Sequence, residues 1–167
     1  MFTDKVPIID GILSEDLWYN LNPATDFTLM WPETRNGIKI PNEFKTTAYV
    51  CYDDNAIYVG AILKHPNIDK MPKELSQRDE IWNVNAETFF VTFNTYNDDL
   101  NFFGFQVTSA GTIGDVYSSG TIDSDDFLYN TVFDAKINIS SDGWSLEMVI
   151  PYLSLIHISE PTRRGII

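Results

Sequence analysis

Any chemistry in this chain has to be built from carboxylates, aromatic rings and amides, because little else is present. The 167 residues hold 24 Asp and Glu against 11 Lys and Arg, with two histidines, His65 and His157, one cysteine, Cys51, and a formal charge of -13. A single cysteine excludes an intrachain disulfide and any multi-cysteine zinc or iron-sulfur centre. Histidine-assisted nucleophilic catalysis is poorly provided for. The acidic balance repels phosphate backbones and anionic bilayers, so nucleic acid is not an expected partner.

Two tryptophans, Trp31 and Trp82, lie in loop-like stretches rich in polar residues, where an aromatic plane stands beside hydrogen-bonding groups. A sugar ring offers apolar C-H faces that stack on an aromatic plane, while its hydroxyls need Arg, Asp, Glu or Asn as hydrogen-bond partners. Trp82 lies in a polar stretch with Arg78, Asp79, Asn83 and Glu87, and Trp31 lies in another polar, Pro-containing stretch. These residues are the candidate ligand contacts, although Arg78-Asp79 reads equally as an ion pair that fixes its loop. Trp18 and Trp144 alternate or cluster with apolar neighbours and read as core. His65, before Pro66, reads as a solvated loop residue. Asp98-Asp99, Asp115 and the group Asp123, Asp125 and Asp126 could supply oxygens to a structural calcium, and Asp98, Asp99 and Asp115 are the candidate ligands. None follows the spacing of a known calcium loop, and turns are rich in Asp for local reasons.

The elements that must position these groups are strands. Hydrophobic periodicity is nearly all of period two, with turn residues between the runs. Strands are expected over residues 44–52, 56–64, 87–94, 101–109, a short run ending near Tyr117, 133–140 and 143–150. Asp53-Asp54-Asn55 turns the first hairpin and Ser141-Asp142 the last. A short helix is expected over residues 14–20, capped by Ser14 and packing Leu17 and Trp18 inward. The 44% hydrophobic and 14% aromatic content supports one well-filled core. The predicted fold is an all-β, antiparallel two-sheet β-sandwich, jelly-roll-like, with one short N-terminal helix. Its irregular segments, residues 31–43, 66–85 and 120–131, are where binding groups belong.

An ordered set of residues carries a family resemblance. Ile9-Asp10-Gly11 with Glu15 and Trp18, Tyr52-Asp53-Asp54 with Ile57-Tyr58-Val59-Gly60, Arg78-Asp79, Asn94-Thr95-Tyr96-Asn97-Asp98, and Asp142-Gly143-Trp144 with Glu147 and Ile150-Pro151 resemble the family 9 carbohydrate-binding modules. More narrowly, the set is similar to the version at the N-terminus of large bacterial envelope proteins with a predicted C-terminal membrane β-barrel. The resemblance covers roughly residues 8 to 152. It implies a saccharide ligand, often structural calcium, and a place in the periplasm, outer membrane or cell surface, with the barrel covalently following. Glu87 and Asn94 stand where the narrower family has aspartates, which weakens an inherited metal site. Tyr129 and Phe133 stand where it tends to have tryptophans, which makes Tyr129 a further candidate ligand contact.

Residues 153–167, which include Leu153-Ser154-Leu155-Ile156-His157-Ile158-Ser159-Glu160-Pro161-Thr162-Arg163, resemble the translation of a sequencing-library adapter and are read as a non-native tail. Residues 1–152 are then a domain from a longer protein. No stretch reaches the length of a membrane-spanning helix, and the start lacks a secretory layout. The expected function is a noncatalytic carbohydrate-binding module that serves carbohydrate catabolism. Two alternatives stand beside it: a glycoside hydrolase using a carboxylate pair about 5 to 9.5 Å apart, and a non-sugar interaction domain of a surface transporter.

Overall fold

The computed structural model describes residues 1–119, 125, 126 and 129–155. Its strands are β1 (Thr46–Tyr52), β2 (Ala56–Lys64), β3 (Thr88–Phe93), β4 (Asn101–Thr108), β5 (Ile113–Ser119), β6 (Asp125–Asp126), β7 (Asp134–Ser140) and β8 (Gly143–Pro151). They form two antiparallel sheets, ordered β1-β2-β8-β7 and β3-β4-β5-β6. This is the two-sheet sandwich that the period-two pattern predicts.

Alternation decides which residues meet between the sheets. Val59 opposite Met148 and Ala61 opposite Leu146 face inward from the first sheet, and Phe103, Phe105 and Val107 face them from the second. Each such ring or branched chain contributes roughly 1.5–3 kcal/mol by leaving water. Trp144 is also sealed in the core, and its indole N-H donates to Glu87 Oε2 at 2.7 Å. The first hairpin turns as its residues dictate: Asp53 Oδ1 accepts the N-H groups of Asn55 and Ala56, and Asp53 Oδ2 accepts the Tyr58 hydroxyl.

The outer face of the first sheet is covered by the N-terminal segment. Leu13, Trp18 and Leu21 bury against Cys51, Ala56 and Tyr58 as a second apolar cluster. At its centre Glu147 of β8 is fully buried. Its Oε2 accepts Asp10 N and Gly11 N, both at 3.0 Å, and its Oε1 accepts the Trp18 indole N-H at 2.8 Å. Burial pushes the carboxyl above its usual range, against the pull of those three donors. Gly11 sits at φ +89°, and a Cβ there would lie 2.5 Å from the Ile137 carbonyl carbon, so only glycine lets the strap lie this close.

Three local expectations are corrected. The helix α1 spans only Asp16–Tyr19, and its first flanking residue is Glu15, not Ser14. Glu15 spends one carboxylate oxygen on Ile8 N at 3.0 Å. Residues 42–44 form a 3-10 turn after Pro41 instead of opening β1. His65 is not solvated, because its ring is largely enclosed between Phe44, edge-on at 5.7 Å, and Glu87, 3.7 Å from its Nε2. At the other end, Tyr152–Leu155 form a 3-10 turn whose Leu155 joins the core, while Ser154 Oγ donates to the Val132 carbonyl. Asp123 and residues 156–167 of the expected tail lie outside the described residues.

Candidate functional site

The segment from Ser76 to Glu87 crosses the outer face of the second sheet, and its anchors explain its path. Ser76 and Thr112 exchange hydrogen bonds through the Thr112 hydroxyl, and Asp79 N donates to Ile113 O at 3.3 Å. Asp79, at φ +67°, accepts Asp115 N on its Oδ1 at 3.0 Å. Ile81 is buried over Gly114 of β5, where a Cβ would stand 2.9 Å from Ile81 Cδ1. The glycine in mid-strand is what admits the loop.

The strongest anchor is an ion pair between a buried Asp115 and a partly exposed Arg78. Arg78 Nη2 donates to Asp115 Oδ1 at 2.5 Å and to Thr131 O at 2.9 Å, and Thr131 N donates to Asp115 Oδ2 at 2.6 Å. One guanidinium and one carboxylate thus join the loop, β5 and the segment before β7. Burial pushes the Asp115 carboxyl above its ordinary value, opposed by the Thr131 N-H and by Arg78. Arg78 Nε also lies 3.6 Å from Asp79 Oδ2, so the ion-pair reading of Arg78-Asp79 describes their geometry.

This scaffold delivers Trp82 to the outer face of β3 and β4 with its side chain 56% exposed. The indole meets Phe90 edge to face, with centroids 6.2 Å apart and planes at 77°. Phe90 in turn lies across Gly104, where a Cβ would come within 2.5 Å of the ring. Two cavities meet at Trp82. One, of about 630 Å³, is lined by Asp79, Glu80, Asn83 and Val84. The other, of about 280 Å³, lies over the sheet between Phe90, Thr92, Phe102, Gly104, Val116 and Ser118. The first offers carboxylates and an amide; the second offers apolar walls and two hydroxyls.

Of the sequence-predicted ligand contacts, Trp82, Asp79 and Asn83 are brought together around the polar cavity. Arg78 is turned away to Asp115 and acts as an anchor. Glu87 is engaged by Trp144 and faces His65. Tyr129 packs against Phe103 at 5.6 Å and Tyr117 at 6.2 Å, and its hydroxyl donates to Ser154 O. Trp31, 75% exposed, follows an isolated pairing of Thr28 with Lys39 and lines neither cavity at Trp82. A separate cavity of about 160 Å³ between Phe27, Asn42 and the Lys39-Asp26 ion pair holds no tryptophan.

A calcium ion wants six to eight converging oxygens, and Asp98, Asp99 and Asp115 do not supply them together. Asp98 accepts the N-H groups of Leu100 and Asn101 within its own turn, which lowers its carboxyl below the ordinary range. Asp99 accepts from the Asn94 side chain. Both oxygens of Asp115 are held by Arg78 and Thr131. Asp115 pairs with Phe105, four residues along β4 from Asn101, which is roughly 13 Å at strand rise. Among the described residues, no three Asp, Glu, His or Cys side chains form a metal site.

Residues that the sequence reading passed over are Glu80, Phe90, Thr92, Phe102, Val116 and Ser118. The signal for them was present in the doublets Phe89-Phe90 and Phe102-Phe103, which put an aromatic on both faces of a strand. Gly104 and Gly114 in mid-strand marked where something lies close on the outer face.

What this geometry defines is an antiparallel β-sandwich with an aromatic surface site on one outer sheet face, and solved structures share the fold. The chain is similar to a family 9 carbohydrate-binding module from Caldicellulosiruptor kristjanssonii in complex with glucose, with 17% identity and TM-score 0.59 over 96% of this chain and 70% of that one. It is also similar to a family 9 module from the same organism in complex with cellotriose, at 16% identity and TM-score 0.56 over 88% and 64%. A candidate carbohydrate-binding protein from Bacteroides uniformis matches at 12% identity and TM-score 0.58 over 86% and 66%. At these identities the likeness is one of fold, and the chain spans about two thirds of the length of those structures. No family model matches the chain, and no curated protein does.

Proposed function

We propose that this domain is a noncatalytic saccharide-binding module whose platform is Trp82. The observation that carries the reading is a half-exposed indole fixed on a rigid sheet beside Asp79, Glu80 and Asn83, the pairing of apolar plane and polar edge that a pyranose requires. The saccharide complexes of similarly folded proteins support it. Binding at one open surface is weak, and attachment to a larger machine raises it by effective concentration.

The carboxylates argue for binding over hydrolysis. A glycosidase needs a raised-pKa acid facing its substrate. Among the described residues, the two buried carboxyls with raised values, Glu147 and Asp115, are both occupied by N-H donors and line neither cavity at Trp82. In the intact protein the reading extends to a periplasmic, outer-membrane or cell-surface setting, a C-terminal membrane β-barrel and a role in carbohydrate catabolism, which the resemblance supports. The uninterrupted coding sequence tests that part.

Retention on a glycan array tests the binding. Wild type is expected to hold at least one saccharide, and Trp82→Ala is expected to lose it while melting at the same temperature. A mutant that binds as well as wild type would remove Trp82 from the site.

A further inference from the structure

The two cavities at Trp82 differ too much in chemistry to hold the same kind of group. On the polar side, Asp79, Glu80 and Asn83 can accept and donate to the hydroxyls that ring a sugar's edge. On the sheet side, Phe90, Phe102, Val116 and the bare backbone of Gly104 form the walls, relieved only by the hydroxyls of Thr92 and Ser118. Among the described residues, no charged side chain lines this groove. A pyranose seated there would leave most of its hydroxyls desolvated and unpaired, each at a cost comparable to a lost hydrogen bond.

A flat, uncharged, apolar group meets no such penalty. The groove volume of about 280 Å³ has room for a single flat ring. Trp82 lines both cavities, so a ligand seated on the polar side continues directly into the groove. Phe90 and Phe102 offer a further ring the edge and face contacts that aromatic groups prefer.

We infer that the groove is a subsite for an uncharged aryl substituent, an aromatic ester or aglycone, carried by a saccharide whose sugar ring occupies the polar side of Trp82. The inference rests on the reading of Trp82 as a sugar platform. It adds a ligand class that the platform alone does not select: aryl-decorated saccharide in preference to the plain one.

The test titrates the full chain with matched pairs of methyl and phenyl β-glycosides of glucose, xylose and galactose, followed by calorimetry. For the sugar that binds, the phenyl glycoside is expected to bind about tenfold more tightly than the methyl glycoside. Phe102→Ser is expected to erase that gain. Thr92→Phe, at an exposed strand position where an aromatic is well tolerated, is expected to fill the groove and erase the gain as well. Asn83→Ala is expected to weaken both members of a pair equally.

Equal affinity for the two members of every pair overturns the inference and leaves the platform standing. Binding of neither member, for any sugar, is the failure of the platform itself. A phenyl gain that survives both Phe102→Ser and Thr92→Phe, or phenol alone binding as tightly as the phenyl glycoside, places the aryl group elsewhere or makes it independent of the sugar, and also overturns it. So does a dimer in sedimentation that phenyl glycoside dissociates, because a second copy would then be the occupant of the groove.

Discussion

Each outer face of the sandwich carries an indole close to carboxylates, and the two faces use the combination in opposite ways. On the first sheet, Trp18 is 1% exposed and its N-H is spent on a fully buried Glu147, which also holds Asp10 and Gly11. On the second, Trp82 remains 56% exposed with cavities beside it. The difference is one of coverage. Trp18 is packed onto the sheet among Leu13, Leu21, Tyr49 and Glu147, whereas the loop that carries Trp82 is anchored, among the described residues, through Ile81, Asp79 and Arg78. A sealed indole stabilises the fold, and the half-open one is the ligand surface that we propose.

The comparison can be broken by mutation, and Trp18→Ala should do it most forcefully. Truncating a sealed core tryptophan costs about 3–5 kcal/mol. At about 2–4 °C per kcal/mol for a domain of this size, we expect a melting temperature lowered by about 6–20 °C, measured by circular dichroism. Trp82→Ala should move the same melting curve by no more than about 0.5 kcal/mol.

Removing Asp115 comes next. Asp115→Ala leaves Arg78 without its main partner and removes one of the loop's ties to β5. Because Arg78 is about a third exposed, the loss should be about 2 kcal/mol, below the 3–5 typical of fully buried pairs. It should also weaken saccharide binding by displacing Trp82. A destabilised variant that binds at full strength would show that the Trp82 loop does not depend on this anchor.

Glu147→Gln keeps the shape and should still cost about 1–3 kcal/mol, since an amide can accept from one side only while N-H donors approach both oxygens. Its pH dependence sharpens the point. The folded-state carboxyl lies above its ordinary value, so the native state takes up a proton before the unfolded chain does as pH falls. Glu147 therefore contributes more stability as pH drops through its raised folded value toward the ordinary carboxylate range, and that contribution is lost as pH rises. The stability gap between wild type and Glu147→Gln should widen on acidification over that interval in urea titrations. A gap that narrows would contradict the burial argument.

Much of this was legible in sequence because it depends on local pattern. β2 begins and ends where alternation and the Asp53-Asp54-Asn55 turn say it should, and Trp18 and Trp144 are buried where apolar neighbours surround them. Trp82 and Trp31 are exposed where polar residues surround them. What the sequence does not show is long-range. Arg78 sits four residues from Trp82 and was grouped with it, but its partner Asp115 is 37 positions away, a separation no single-sequence spacing reveals. Glu87 was counted as a ligand contact, and it is claimed by Trp144 from the other sheet. The groove is not legible in sequence because alternation assigns one face of each strand to solvent, and nothing local marks Phe90 and Phe102 on that face as parts of one surface.

The most direct measurement is a spectrum in which each tryptophan side chain reports separately. With the indole N-H resonances assigned, titration with the glycan selected on the array should shift the Trp82 signal and leave Trp18 and Trp144 in place. A shift at Trp31 with Trp82 unmoved would put the ligand on the arm between Thr28 and Lys39, and the open sheet face would no longer be the binding surface.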